Sequence, residues 1–102
     1  MNFERWRHYA RGWLCHFLGN PDQAYEAYMA AFRHDPGDVQ SARHLAFIAA
    51  QRRSLDAAEF WYGEAIRIAP RDAATHFNLG FVREQAGRRR AAVEAFQEAV
   101  RL

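Results

Sequence analysis

The sequence predicts an all-α protein built as a solenoid of three helix-turn-helix repeats, six helices in total. Three observations carry this expectation. Residue types recur at intervals of 34: Trp13, Phe47 and Phe81; Ala24, Ala58 and Ala92; Tyr28, Tyr62 and Phe96; Ala31, Ala65 and Ala99. Reuse of one pattern of small and large residues at a fixed interval marks a stack of like units. Within each unit apolar residues return at steps of three and four, the helical period. Turn residues punctuate the pattern at matching places, Pro36 with Pro70 and Asp38 with Asp72.

Trp6, Tyr9, Ala10, Trp13, Leu14 and Phe17 mark the first helix, which should stop near Gly19. Asn20 and Pro21 then supply a capping side chain and a first-turn proline for the second, which runs to about His34. Asp35, Pro36 and Gly37 break the chain, and Asp38 is placed to cap the third helix by accepting from its first free N–H groups. That helix turns over Gln51 to Ser54, with Ser54 the expected cap of the fourth, which ends before Pro70. Asp72 caps the fifth helix, Gly87 turns the chain, and the sixth runs to Leu102. Arg33, Arg67 and Arg101 share a column in the last turn of each second helix, where positive charge meets the negative end of the helix dipole. Leu14, Ile48 and Val82 are expected to face the core.

At 102 residues the chain is one domain's worth, residues 1–102. Half the residues are apolar and 15% aromatic, far from a disordered composition. A net charge of +2 is too small a field to announce nucleic acid. Arg52 with Arg53, and Arg88 to Arg90, form a basic edge at the turns, read as solvated loops with no aromatic residues for base stacking. All the basic residues are arginine, which removes Schiff-base lysine chemistry. Cys15 is the only cysteine, so no internal disulfide forms and a reducing, cytoplasmic setting is the expectation. No stretch approaches the roughly 20 apolar residues of a membrane span, and the first twenty residues carry no signal-like apolar run.

Catalytic and metal chemistry find little support. None of His8, His16, His34, His44 and His76 pairs with another at i, i+4, and no carboxylate or cysteine cluster is evident, so neither metal nor cofactor is expected. The adjacent Cys15 and His16 point about 100° apart on a helix, and Ser41, Ser54 and Thr75 read as turn or cap residues. The chain is not expected to be an enzyme.

Counted as residues 5–38, 39–72 and 73–102, the units resemble tetratricopeptide repeats, helix hairpins with small residues at helix contacts and a proline after the second helix. The family's small position eight holds Gly12, Ala46 and Gly80; position twenty holds Ala24, Ala58 and Ala92; position twenty-seven holds Ala31, Ala65 and Ala99; the aromatic position twenty-four holds Tyr28, Tyr62 and Phe96. The first unit departs most, with Arg11 in place of leucine and Cys15 where tyrosine is frequent. The resemblance implies a right-handed α-solenoid that binds protein on a concave face lined by the first helix of each unit.

In that register the groove residues include Tyr9, Trp13 and His16, then Arg43, His44 and Phe47, then Phe77, Asn78 and Phe81. Position nine is commonly polar in the family, yet here it is the aromatic column Trp13, Phe47 and Phe81. An apolar strip left in water marks a contact site. A peptide or helix with apolar anchors would suit it, with Arg43, His44 and Asn78 supplying polar contacts; the competing reading packs the strip on neighbouring helices. Members that clamp acidic chaperone tails use basic and asparagine residues where this chain has Tyr9, Trp13, His44, Ala74 and Asn78, so that activity is not expected. On the last helix Val93, Phe96 and Val100 form an apolar flank that a further unit would cover. Self-association into a homo-oligomer is therefore the alternative to a foreign protein or peptide ligand.

Overall fold

A computed structural model describes residues 3–102. Six helices follow one another: α1 (Phe3–Phe17), α2 (Pro21–His34), α3 (Val39–Gln51), α4 (Leu55–Ile68), α5 (Ala73–Gln85) and α6 (Arg89–Arg101). No strand occurs among the described residues. The pairs α1/α2, α3/α4 and α5/α6 are hairpins, and α2 packs on α3 as α4 packs on α5. This stacking of neighbour on neighbour makes an elongated α-solenoid of 39 × 27 × 18 Å.

The turns inside the hairpins share one geometry. Gly19, Arg53 and Gly87 occupy one column of the repeat and all have positive φ, 77°, 62° and 80°. Glycine adopts that left-handed region without penalty, whereas arginine meets a steric clash at its Cβ. The turn brings the next N–H onto a carbonyl of the helix just ended: Asn20 to Cys15, Ser54 to Ala49, Arg88 to Arg83.

Three of the four expected side-chain caps form. The Asn20 side chain accepts from Gln23 N at 3.4 Å, Asp38 from Ser41 N at 3.4 Å, and Asp72 from Ala74 N at 3.2 Å. Ser54 does not fulfil its expectation: it stands at the N-cap of α4, but its hydroxyl makes no capping bond. The backbone bond from Ser54 N to Ala49 O holds the turn in its place.

Small residues let the helices approach. Ala24, Ala31, Ala58 and Ala65 are fully buried, and around them lie Tyr28, Leu45, Ile48, Trp61, Tyr62, Leu79 and Val82. Trp61 Nε1 donates to the Tyr25 hydroxyl at 2.7 Å, which joins α4 to α2. The expectation for Leu14 is corrected. Ile48 and Val82 are buried, but Leu14 is 50% exposed. Helices α3 and α5 each rest on a preceding second helix as well as their own partner, whereas α1 packs chiefly on α2.

Ion pairs tie each hairpin to the start of the next or to the one before it. Asp38 takes Arg5 at 3.3 Å, and Asp72 takes Arg43, so each capping aspartate also receives an arginine from the preceding first helix. Arg52 reaches Asp22 at 2.7 Å and lies 4.5 Å above the Tyr25 ring. Arg88 reaches Asp56 at 2.8 Å and also Glu59. The basic edge is thus partly neutralised by acids at the start of the previous second helix, while Arg53, Arg89 and Arg90 stay exposed.

Candidate functional site

Helices α1, α3 and α5 stand side by side because each repeat contributes one first helix to the same face, and their turn-by-turn periodicity puts equivalent residues in line. A pocket of about 380 Å³ opens there, lined by Trp13 and His16 of α1, Gln40, Arg43, His44 and Phe47 of α3, Tyr62 of α4 and Asn78 of α5. Six of the nine groove residues expected from the sequence line it. The other three do not line it: Tyr9 packs against Tyr28 and His44, and Phe77 and Phe81 pack on each other and on Phe96.

The pocket floor is built on the core. The His44 ring stacks on Tyr28 with centroids 4.6 Å apart and planes 3° apart, and His44 Nε2 and the Tyr9 hydroxyl are within hydrogen-bond distance at 3.0 Å. Burial, followed by the nearby His16 and Arg43 charges, pushes the His44 pKa below its ordinary value, with Asp38 opposing. The imidazole is therefore held neutral at neutral pH. Burial first, and then Asp38, pushes the Tyr9 hydroxyl up, so Tyr9 stays protonated. His16 faces the Gln51 side chain across 3.4 Å. Arg43 is committed at one guanidinium nitrogen to Asp72, which fixes its direction in the groove wall.

The aromatic column divides between the two readings. Trp13, Phe47, Phe77 and Phe81 are each 47–53% exposed, so one side of every ring packs and the other meets solvent. Trp13 stacks on Phe17 at 5.4 Å. Phe77 and Phe81 meet edge to face at 5.0 Å, and both touch Phe96, at 5.4 Å and 5.7 Å. Phe96 consequently belongs to the support of the groove as well as to the apolar flank of α6. That flank forms a second depression of about 310 Å³ with Val93, Gln97 and Val100.

Tyr62 is the pocket residue that groove positions alone did not indicate. It lies in the position-twenty-four column and, though nearly buried, lines the pocket from α4. The column was legible, but the side from which its edge would be visible depends on helix packing.

One arrangement departs from the expectation of no histidine–carboxylate group. Glu4, His8 and His34 converge, with one ligand atom from each within 4.8 Å of the others. No two histidines stand four apart; the i, i+4 partner of His8 is Glu4, and His34 arrives through the hairpin.

The tetratricopeptide repeat pattern matches residues 7–38 and 73–102. The chain belongs to the tetratricopeptide repeat (TPR) family. Its middle repeat falls outside the matched residues, yet α3 and α4 form the same hairpin as their neighbours. A TPR repeat-containing protein of Methanocaldococcus jannaschii is 33% identical over 67 residues, which is 66% of this chain and 12% of that protein. Among solved structures, MamA superposes with a TM-score of 0.93 at 20% identity over 98% of this chain and 55% of its own. The second TPR domain of Spaghetti (RPAP3), bound to an HSP90 peptide, gives 0.90 at 18% identity over 99% of this chain and 94% of its own. This TPR chain thus spans about an eighth of the archaeal relative and about half of MamA. The TPR solenoid is a protein–protein interaction scaffold, in which paired helices present a surface. No helix among the described residues is long and apolar enough to cross a membrane.

Proposed function

We propose that this TPR chain is a non-catalytic scaffold that binds a peptide or helix of a partner protein in its aromatic groove. The observation that carries the reading is the half-exposed column of Trp13, Phe47 and Phe81, the first two of which line a pocket together with polar side chains. Rings already packed on one side lose little freedom when a ligand covers the other, and covering them removes apolar surface from water at about 25 cal/mol per Å². His44, Gln40 and Asn78 offer hydrogen bonds to a peptide backbone; the rings offer sites for apolar anchors. The Spaghetti domain holds an HSP90 peptide, but an acidic tail is not the ligand proposed here. Of Tyr9, Trp13, His44, Ala74 and Asn78, only His44 and Asn78 suit a carboxylate.

Selection from a random-peptide library tests this. Binders should carry spaced apolar anchors, and Trp13→Ala, Phe47→Ala and Phe81→Ala should each weaken them about thirtyfold or more, the range of an interface hot spot. Peptides whose affinity ignores all three changes would place the site elsewhere.

A second reading is favoured by the flank of α6, where Val93 and Val100 are exposed, Val100 by 87%. Two copies pairing through Val93, Phe96 and Val100, or through the grooves, would make the chain a self-assembly module. Light scattering across concentration separates the readings: a monomer at high micromolar concentration eliminates assembly, and dissociation by Val100→Asp supports it.

A further inference from the structure

We propose that Glu4, His8 and His34 form a binding site for a divalent transition metal of the zinc class, clasping the start of α1 to the end of α2. Glu4 and His8 are one turn apart on α1, the spacing that sets two side chains on one helix face, and Glu4 Oε2 lies 3.9 Å from His8 Nε2. His34 is the last residue of α2. Its ring stacks on that of His8, with centroids 5.1 Å apart and planes 14° apart. Two imidazoles and one carboxylate on two different elements are the donor set that zinc, cobalt and nickel accept.

Distances and charge both bear on the site. Tetrahedral zinc with bonds near 2.0–2.2 Å needs ligand atoms about 3.3 Å apart, against the present spread of up to 4.8 Å. Closing that gap requires the stacked imidazoles to turn so that their lone pairs converge. Glu4 is half exposed and His34 lies at the surface, so the adjustment takes place at the edge of the fold rather than in its core. Arg7 competes for Glu4 at 2.5 Å, but its side chain is 60% exposed and such surface pairs are weak. The carbonyl end of α2 favours a cation and the amide end of α1, where Glu4 sits, disfavours one, so the two helix fields offset. The Glu4 carboxylate supplies the charge that opposes Arg7 and Arg11 at His8. With three protein donors the fourth position goes to water.

Metal at this point would tie together the two ends of the first hairpin, and binding to the folded state alone raises its stability. The test uses the full chain without any histidine tag. Zinc is titrated calorimetrically, cobalt is followed by its visible absorption, and melting is recorded with and without zinc. One zinc per chain and a raised melting temperature are expected. Glu4→Gln and His34→Ala should each weaken zinc about tenfold or more while leaving the metal-free melting temperature near wild type. His76→Ala should change nothing. His8→Ala should also abolish tight binding; should it fail to fold, the two exposed positions still decide. Absence of one-to-one binding, or equal loss in His76→Ala, would overturn the proposal.

Discussion

Gly80 lies directly beneath the ring of Phe96, so closely that a Cβ on residue 80 would stand 2.6 Å from it. Real Cβ atoms do not approach that closely, so Gly80→Ala must push the ring, and with it Phe77 and Phe81, outward. Overpacking of this kind costs about 1–3 kcal/mol, against about 1 kcal/mol gained from helix propensity. Net destabilisation is expected, read as a lower denaturant midpoint. Gly12→Ala, where the contact to Tyr28 would be 3.0 Å, should show the same sign with smaller amplitude.

Arg53 offers the reverse case. Its φ of 62° suits glycine, which the first and third repeats carry at the same position. Arg53→Gly should stabilise by about 1 kcal/mol, the penalty a side chain meets in the left-handed region. A midpoint that falls in urea would refute this.

His44 predicts an acid limb. Its folded pKa lies below the ordinary 6.5, so between the two values the unfolded chain binds more protons. The contribution is complete above about pH 6.5 and is lost as pH falls below it. Melting temperature should drop from pH 7 toward pH 5, and His44→Gln should flatten that slope. An unchanged slope would detach the limb from His44.

Tyr28 is wholly buried, and its hydroxyl has no hydrogen-bond partner among the described residues. Burial drives its pKa far upward. An unpaired buried hydroxyl costs about 1–3 kcal/mol, so Tyr28→Phe should leave stability unchanged or raise it. A loss above about 1 kcal/mol in equilibrium unfolding would mean that the hydroxyl is satisfied.

Local chemistry was legible where it repeats. The 34-residue period, the turns at Gly19 and Gly87, and the caps of Asn20, Asp38 and Asp72 all rest on contacts within a few residues. Leu14 was misread because its column says only which way a side chain points, and packing decides whether anything lies there. Ser54 failed for a similar reason: its position in the turn was right, but a backbone bond already secures the chain. In the groove, Trp13, His16, Arg43, His44, Phe47 and Asn78 converge from positions visible in the register. Tyr62 and the Tyr28–His44 stack depend on how second helices lean against first ones, which no column reveals. Glu4, His8 and His34 meet only once α1 and α2 fold back on each other.

The double attachment of Asp38 and Asp72 makes the repeats interdependent. Each carboxylate caps the first helix of the hairpin that follows it and simultaneously anchors an arginine from the first helix of the hairpin before it. Losing either repeat at such a junction would strip the other of a partner, so opening one hairpin raises the cost of keeping its neighbour closed. A nearest-neighbour coupling of this kind sharpens the melting transition and favours one concerted loss of structure over sequential fraying. It also gives a ligand bound across α1, α3 and α5 a means of stabilising helices that it never touches.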